Sequence, residues 1–479
     1  MSDNKSPTTI QQKDSNDAQM LLDAGSEIKT DRRNTSTNLN YRYATTEREL
    51  NFDLDYVNFH IVNDQFQPNA YYDPNGNFLF KRVYHMLTTG DIRMYSIKFN
   101  YDFDLLKGKL SIGGKYGIVN SENDLQRSDL FFSVEKFDSL NSNKFTYKEK
   151  IAAAFARYTK EYKKFLFQIG IRIEKTAVDG LSNGYRWIGS FVPYDSSFRK
   201  NYTDPFPSAS LTYKKNANNQ FSINIGRRID RPRYADLNPF EYRIDEYIYR
   251  KGNTGLRPQY TTIFELLHMY KNRFTTTISY CNVKDYTVLF FDTIEVSKAF
   301  IAPVNLARQK IIGLSVNYIF QGKGIYGFIN LNPFYNSYKS DFGKDRQVDL
   351  DGLSFIGKSQ IGYHFKHEFS AELTTIYNSP VIGTGSFKFK NYASIDFAVG
   401  KTMYDNRLSL KASITDIFFT NRSDGESFFA GQYIDLKRTF EPRLVRMNIS
   451  YRFGRTTVKA ARQRRTLMEE ENRRMQSSN

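Results

Sequence analysis

The sequence predicts an all-β fold, an antiparallel up-and-down transmembrane β-barrel, and three observations carry that prediction. Apolar and polar residues alternate with period 2 from about Asn34 to Phe453, with little helical periodicity before the tail. The links between these segments alternate between short and long. Segment ends are rich in rings: the 479 residues include 40 Phe and 34 Tyr, yet mean hydropathy is −0.58. A wall in which only alternate residues touch lipid reconciles so many rings with so polar an average.

Taken in order, residues 1–33 are polar and read as a disordered or remnant segment ahead of a barrel over 34–454. They hold no apolar stretch of roughly 7 to 15 residues such as a secretory leader carries. The first strand is placed at about Asn34–Ala44. Lys164–Glu174 shows the pattern: Phe165, Phe167, Ile169, Ile171 and Ile173 share one face, and Lys164, Gln168, Gly170, Arg172 and Glu174 the other, with Leu166 the exception. The same split recurs at Phe221–Ile225, Ile312–Phe320 and Val445–Phe453.

A soluble sandwich also has one apolar face per strand, so link lengths must separate the two. About 17 strands are expected. Short links fall at 44–49, 104–108, 159–163, 214–219, 271–273, 321–324, 365–368 and 402–406. Long ones fall near 61–90, 120–142, 179–204, 227–257, 292–307, 339–351, 378–386 and 419–443. Compact turns at one end and long loops at the other are the asymmetry of an outer-membrane barrel. Arg, Lys, Asp, Asn and Gly on the opposite faces suit a wet lumen better than a sandwich core. The last strand then descends to the periplasm and ends at Phe453. Counting back, the first strand descends too, whereas complete bacterial barrels have an even number of strands. The chain therefore reads as part of a larger barrel. Residues 455–479 change to Ala, Arg, Glu and Met and read as a basic periplasmic tail, a short charged helix or a disordered, solvated segment.

Little points to chemistry. The net charge of +17 raises nucleic acid as a partner, but apart from the tail the excess is spread along the chain, so none is expected. Cys281 is the only cysteine, which excludes an internal disulfide framework. His364 and His367 form an H-x-x-H pair at a short turn without a carboxylate constellation, so no metal site is assigned. The glycines of Ser111–Gly117 and Gly383–Phe387 do not join a strand to a helix as a phosphate cradle must. Asp349 and Asp351 offer paired carboxylates for Ca²⁺, but a solvated loop is the plainer account. With no base beside a nucleophile, no catalytic residue and no cofactor is assigned, and the chain is not read as an enzyme.

Three stretches carry a resemblance: Phe145–Gly180; Tyr202–Phe240, with Arg227, Arg228, Arg231, Pro232, Leu237, Asn238 and Pro239 in R-R-I-x-R-P and L-N-P-F; and Gly252–Tyr270, with Gly252, Asn253, Leu256 and Pro258 in G-N-x-x-L-x-P. Together with the ending Leu444–Gly454, they resemble the TonB-dependent-receptor-like outer-membrane barrels abundant in Bacteroidota. That resemblance implies a 22-stranded barrel with an N-terminal plug, importing a bulky nutrient or iron chelate. Outer-membrane lipid and the barrel-assembly machinery are then partners, and the TonB complex is one only for a plug-bearing form. Measured against that family, the sequence lacks the signal peptide, plug and first strands, so an N-terminally incomplete form is expected. The alternatives are a non-transporting outer-membrane receptor or assembly protein and, more remotely, a soluble carbohydrate-binding β protein. Within Gly226–Phe240, Pro232 is expected to break a strand at the outer rim, and the arginines to pair with acids of the lumen or a neighbouring loop rather than with substrate.

Overall fold

The computed structural model describes residues 8–13, 19–73, 75–131, 134–244, 248–295, 298–305, 308–341, 347–383, 387–429, 432–439, 443–454 and 469–476. Its main sheet contains 20 strand segments. Three are accessory: Thr8–Lys13, Gln19–Ala24 and Val134–Phe137. The other 17 lie side by side in chain order, each antiparallel to the next. They are β1 (Glu27–Ala44), β2 (Arg48–Tyr72), β3 (Phe78–Leu105), β4 (Gly108–Phe131), β5 (Asn143–Tyr162), β6 (Phe165–Trp187) and β7 (Phe191–Asn216). Next come β8 (Asn219–Asp230), β9 (Gln259–Tyr270), β10 (Phe274–Lys284), β11 (Arg308–Gly322), β12 (Ile325–Asp341) and β13 (Gln347–His364). β14 (Phe369–Asn378), β15 (Tyr392–Met403), β16 (Leu408–Ile414) and β17 (Val445–Tyr451) complete the wall.

The polarity of this sheet is inverted. On β6 the apolar set faces outward, with Phe167 45%, Ile169 63% and Ile173 49% exposed, while Glu174, Thr176 and Val178 on the other face are buried. Tyr95, Ile97 and Phe99 of β3, Ile223 and Ile225 of β8, and Leu353 and Ile361 of β13 continue the exposed apolar surface. At about 25 cal/mol per Å², so much apolar area left in water opposes folding; lipid removes that cost. The ladder satisfies the backbone polar groups between neighbouring strands, as a lipid-spanning wall requires.

The short links are tight turns. Several hold residues with positive φ, the left-handed conformation that two-residue hairpins demand: Leu106 and Lys107, Lys163, Lys271 and Asn272, Lys323 and Gly324, His367 and Glu368, and Tyr404 to Asn406. His367 thus serves a turn.

Two expectations change. The links near 61–90 and 179–204 are mostly strand: β2 continues to Tyr72 and β3 starts at Phe78, while β6 and β7 are separated only by 188–190. A membrane strand needs about 9–11 residues, and β3 has 28. Beyond the lipid the ladder persists but the outward face need not be apolar, so the alternation fades and reads as loop. Likewise β1 begins at Glu27, before the expected Asn34, because 27–33 pair residue by residue with 60–66 of β2.

Both edges of the wall are open. Among the described residues no pairing joins β1 to β17, and every residue of β17 is exposed, as is Phe453 at 87%. Replacing Ile171, on the lipid-facing side, with Arg should lower the free energy of unfolding read by a urea titration by about 2–4 kcal/mol. Ser196→Arg, on the exposed β7 extension, should change it by less than about 0.5 kcal/mol; equal effects would contradict the placement of lipid.

Candidate functional site

The inner face is filled by two pieces of chain. The first follows β8. Pro232 has no N–H to continue the ladder, and the chain turns inward rather than running on as an outer loop. One helical turn, α1 (Tyr234–Leu237), follows. Tyr234, Leu237, Phe240 and Leu256 are buried against Val57, Met94, Val119, Tyr147 and Val178 from the inner faces of β2 to β6. Residues 241–243 then pair with 249–251, and 248–250 run parallel to 299–301 of the neighbouring hairpin. On the far side, Gln67 Nε2 of β2 donates to the carbonyls of Arg243 (2.7 Å) and Ile244 (3.0 Å), and the Arg243 guanidinium sits 4.2 Å over the Tyr84 ring. The excursion thus bridges wall strands six positions apart.

The motif residues build this bridge. Asn253 N–H donates to the Asp236 carbonyl at 2.7 Å. A Cβ on Gly252 would stand 1.9 Å from the Asn238 carbonyl oxygen, so only glycine fits there. Asn238 Oδ1 accepts from Phe240 N–H across Pro239 (3.2 Å), and Asn253 Nδ2 donates to the Pro303 carbonyl at 3.1 Å. Lys200 Nζ of β7 donates to the Thr254 (2.5 Å) and Leu256 (2.6 Å) carbonyls. Pro258 is buried where the chain enters β9.

The arginines separate by role. Arg231 is buried and its Nη2 donates to Glu174 Oε2 (2.7 Å) and Thr176 Oγ1 (2.9 Å). Arg227 donates to the Pro205 carbonyl at 3.0 Å, lies 3.6 Å from Asp204 and covers the rings of Phe206 and Tyr260. Arg228, exposed, shares the inner side of β8 with Ser222 and Asn224. Asp349 and Asp351, expected in a loop, stand on β13 opposite β12; Asp349 pairs with Lys339 (2.9 Å) and Asp351 accepts from Tyr335 Oη (2.6 Å).

The second piece is the tail helix α2 (Glu469–Gln476). Expected to be solvated, it lies on the inner face instead. Residues 455–468, between it and the wall, lie outside the described residues. Arg474 Nη1 and Nη2 reach Glu149 Oε2 (2.6 Å) and Oε1 (3.3 Å), Nε donates to the Pro232 carbonyl (2.8 Å), and the guanidinium sits 4.2 Å over Tyr234. Tyr147 Oη donates to Glu149 Oε1 at 3.0 Å. Glu471 pairs with Lys115 at 2.9 Å, Arg473 with Asp230, and Met475 packs on the core. A cavity of ≈ 530 Å³ beside α2 is lined by Asp230, Arg231, Arg233, Asp236, Arg473 and Arg474 among others. Burial opposes the charge on Arg474, but Glu149 outweighs it and holds its pKa well above the ordinary value. Burial pushes the Tyr242 phenol of the bridge up to about 12.

Sequence reading found the motif residues but missed Glu149, Glu174, Tyr147 and Arg474. The acids carried a signal: each stands on a polar strand face opposite an apolar one. Arg474, in a tail rich in charge, carried none.

A wall of antiparallel strands with apolar residues outside and a packed, charged interior defines an outer-membrane β-barrel protein. The chain belongs to the outer membrane protein beta-barrel family, whose model matches residues 41–451. No curated protein matches it. Among solved structures it is similar in fold to the ferric yersiniabactin uptake receptor FyuA from Yersinia pestis (11% identity, 95% of this chain and 81% of that one, TM-score 0.55). It is also similar to the copper transporter OprC (11%, 91% and 76%, 0.57) and to the siderophore receptor PiuA from Acinetobacter baumannii (10%, 93% and 81%, 0.53). The protein is therefore an outer-membrane one.

Two substitutions test the bridge. Arg231→Ala removes one of two guanidinium groups from Glu174, leaving Arg172 Nε at 3.0 Å from Oε1, and should cost about 1–3 kcal/mol, whereas Arg228→Ala should cost less than about 0.5 kcal/mol. Gly252→Ala should open 231–258 to protease, while Gly226→Ala, whose nearest neighbour would stand 4.0 Å away, should not. Urea unfolding and limited proteolysis read these outcomes.

Proposed function

We propose that the chain forms the C-terminal part of an outer-membrane uptake barrel for a bulky nutrient or iron chelate, of the TonB-dependent kind. The observation that carries this reading is the open wall. Because consecutive strands are antiparallel, β1 and β17 run in the same direction, and antiparallel closure requires an odd number of further strands; five would give the 22 of the outer-membrane transporters. The siderophore and copper receptors of similar fold support the same reading. On it, the long hairpins meet the substrate outside, the inner strand faces line its passage, and no covalent bond is made or broken. A plug-bearing form would take its energy from the TonB complex, and the barrel-assembly machinery would insert the wall. The barrel then spans 34–454 and its strand-bearing extension, with 455–479 a basic tail belonging to the periplasmic side.

The DNA upstream of Met1 tests this. A reading frame encoding a plug and the remaining strands supports transport, and its absence would sink the proposal for this product, leaving a non-transporting receptor. At the protein level, the chain joined to its missing strands should run as a compact species on gels without boiling and shift on heating. The 479-residue chain alone should shift less or not at all; an identical shift for both would show that β1 and β17 close without help.

A further inference from the structure

The guanidinium of Arg474 occupies a site whose every wall suits that group. Glu149, on the inner face of β5 and almost wholly buried, offers both carboxylate oxygens. The Pro232 carbonyl takes the Nε proton on a third side. Tyr234 supplies a ring face, and Tyr147, its hydroxyl held by Glu149, stands 3.5 Å from Nη2. A planar fork of five N–H donors stacked on an aromatic face fits this geometry, and a lysine ammonium does not. All four of these residues belong to β5 or to α1 and the proline before it, whereas the cation comes from the far end of the chain.

Glu149 cannot stay charged and unpaired at that depth, since an isolated buried carboxylate is strongly disfavoured. When α2 leaves, the site must take another cation or a proton. The cavity of ≈ 530 Å³ next to α2 lies in the size range of small-molecule sites, so a ligand larger than the guanidinium has room beside it.

We propose that Glu149, Tyr147, Tyr234 and the Pro232 carbonyl form a binding site in the barrel interior for a guanidinium-bearing ligand, an arginine-containing peptide, and that α2 fills it in cis as an internal competitor. The inference rests on the inner-face geometry and not on the transport reading, so either can fail without the other.

The experiment is calorimetric titration of the refolded full-length chain in detergent with N-acetyl-arginine amide, and separately with a synthetic peptide of residues 469–476. Wild type should bind either probe weakly, because α2 is tethered in place. Arg474→Ala should bind both at least tenfold more tightly, N-acetyl-lysine amide should bind at least tenfold more weakly than the arginine probe, and adding Glu149→Gln should abolish the gain. Where Arg474→Ala does not refold, Arg474→Lys serves, with a smaller gain in the same direction. The proposal is overturned if a folded Arg474 variant binds the arginine probe no better than wild type, or if Glu149→Gln leaves the gain intact.

Discussion

Everything in this molecule depends on one constraint: in a lipid wall each backbone N–H and C=O must be satisfied by the neighbouring strand, while the outward side chains must prefer hydrocarbon to water. That requirement fixes the antiparallel ladder, the period-2 pattern and the inverted polarity of β6, where Ile169 is exposed and Glu174 buried. It also explains why charged and polar residues can be numerous in a folded wall. Half of each membrane strand never meets lipid, and what it meets instead is the rest of the chain.

The interior has an architecture of its own. The segment leaving β8 at Pro232 crosses the inside and is anchored by Leu237, Phe240 and Leu256 in the same hydrophobic cluster as the inner faces of β2 to β6. Ion pairs then position the two inner pieces: Arg231 of this segment on Glu174 at one level, Arg474 of α2 on Glu149 at another. Removing Arg474 leaves Glu149 a buried charge, while Glu174 without Arg231 keeps Arg172 at 3.0 Å; such contacts specify position more than they add stability. Gly252 has a different task, letting the outgoing and returning backbones touch at Asn238.

How much of this was legible in the sequence follows from the range of each signal. Alternation and turn chemistry are local, so the tight turns and the strand count could be read directly. The extent of β2, β3, β6 and β7 could not, because their distal halves leave the lipid and lose the apolar side of the pattern. The motif positions Arg231, Leu237, Asn238, Gly252 and Leu256 were visible as unusual residues between strands, but their common destination in the interior was not. It arises from contacts such as Gln67 with Arg243 that span 176 positions. Docking of α2 was least legible, since its partner Glu149 lies 325 positions away and nothing in a charged tail marks one arginine for burial.

The inverted wall is tested most directly by a nitroxide scan. Single cysteines placed from Phe165 to Glu174 of β6, with Cys281 replaced by Ser, would be spin-labelled in lipid vesicles and their accessibility to oxygen measured. The account predicts a period of two, high at Phe165, Phe167, Ile169, Ile171 and Ile173 and low at Gln168, Gly170, Arg172 and Glu174. A flat profile, or one with the maxima on the polar set, would contradict it.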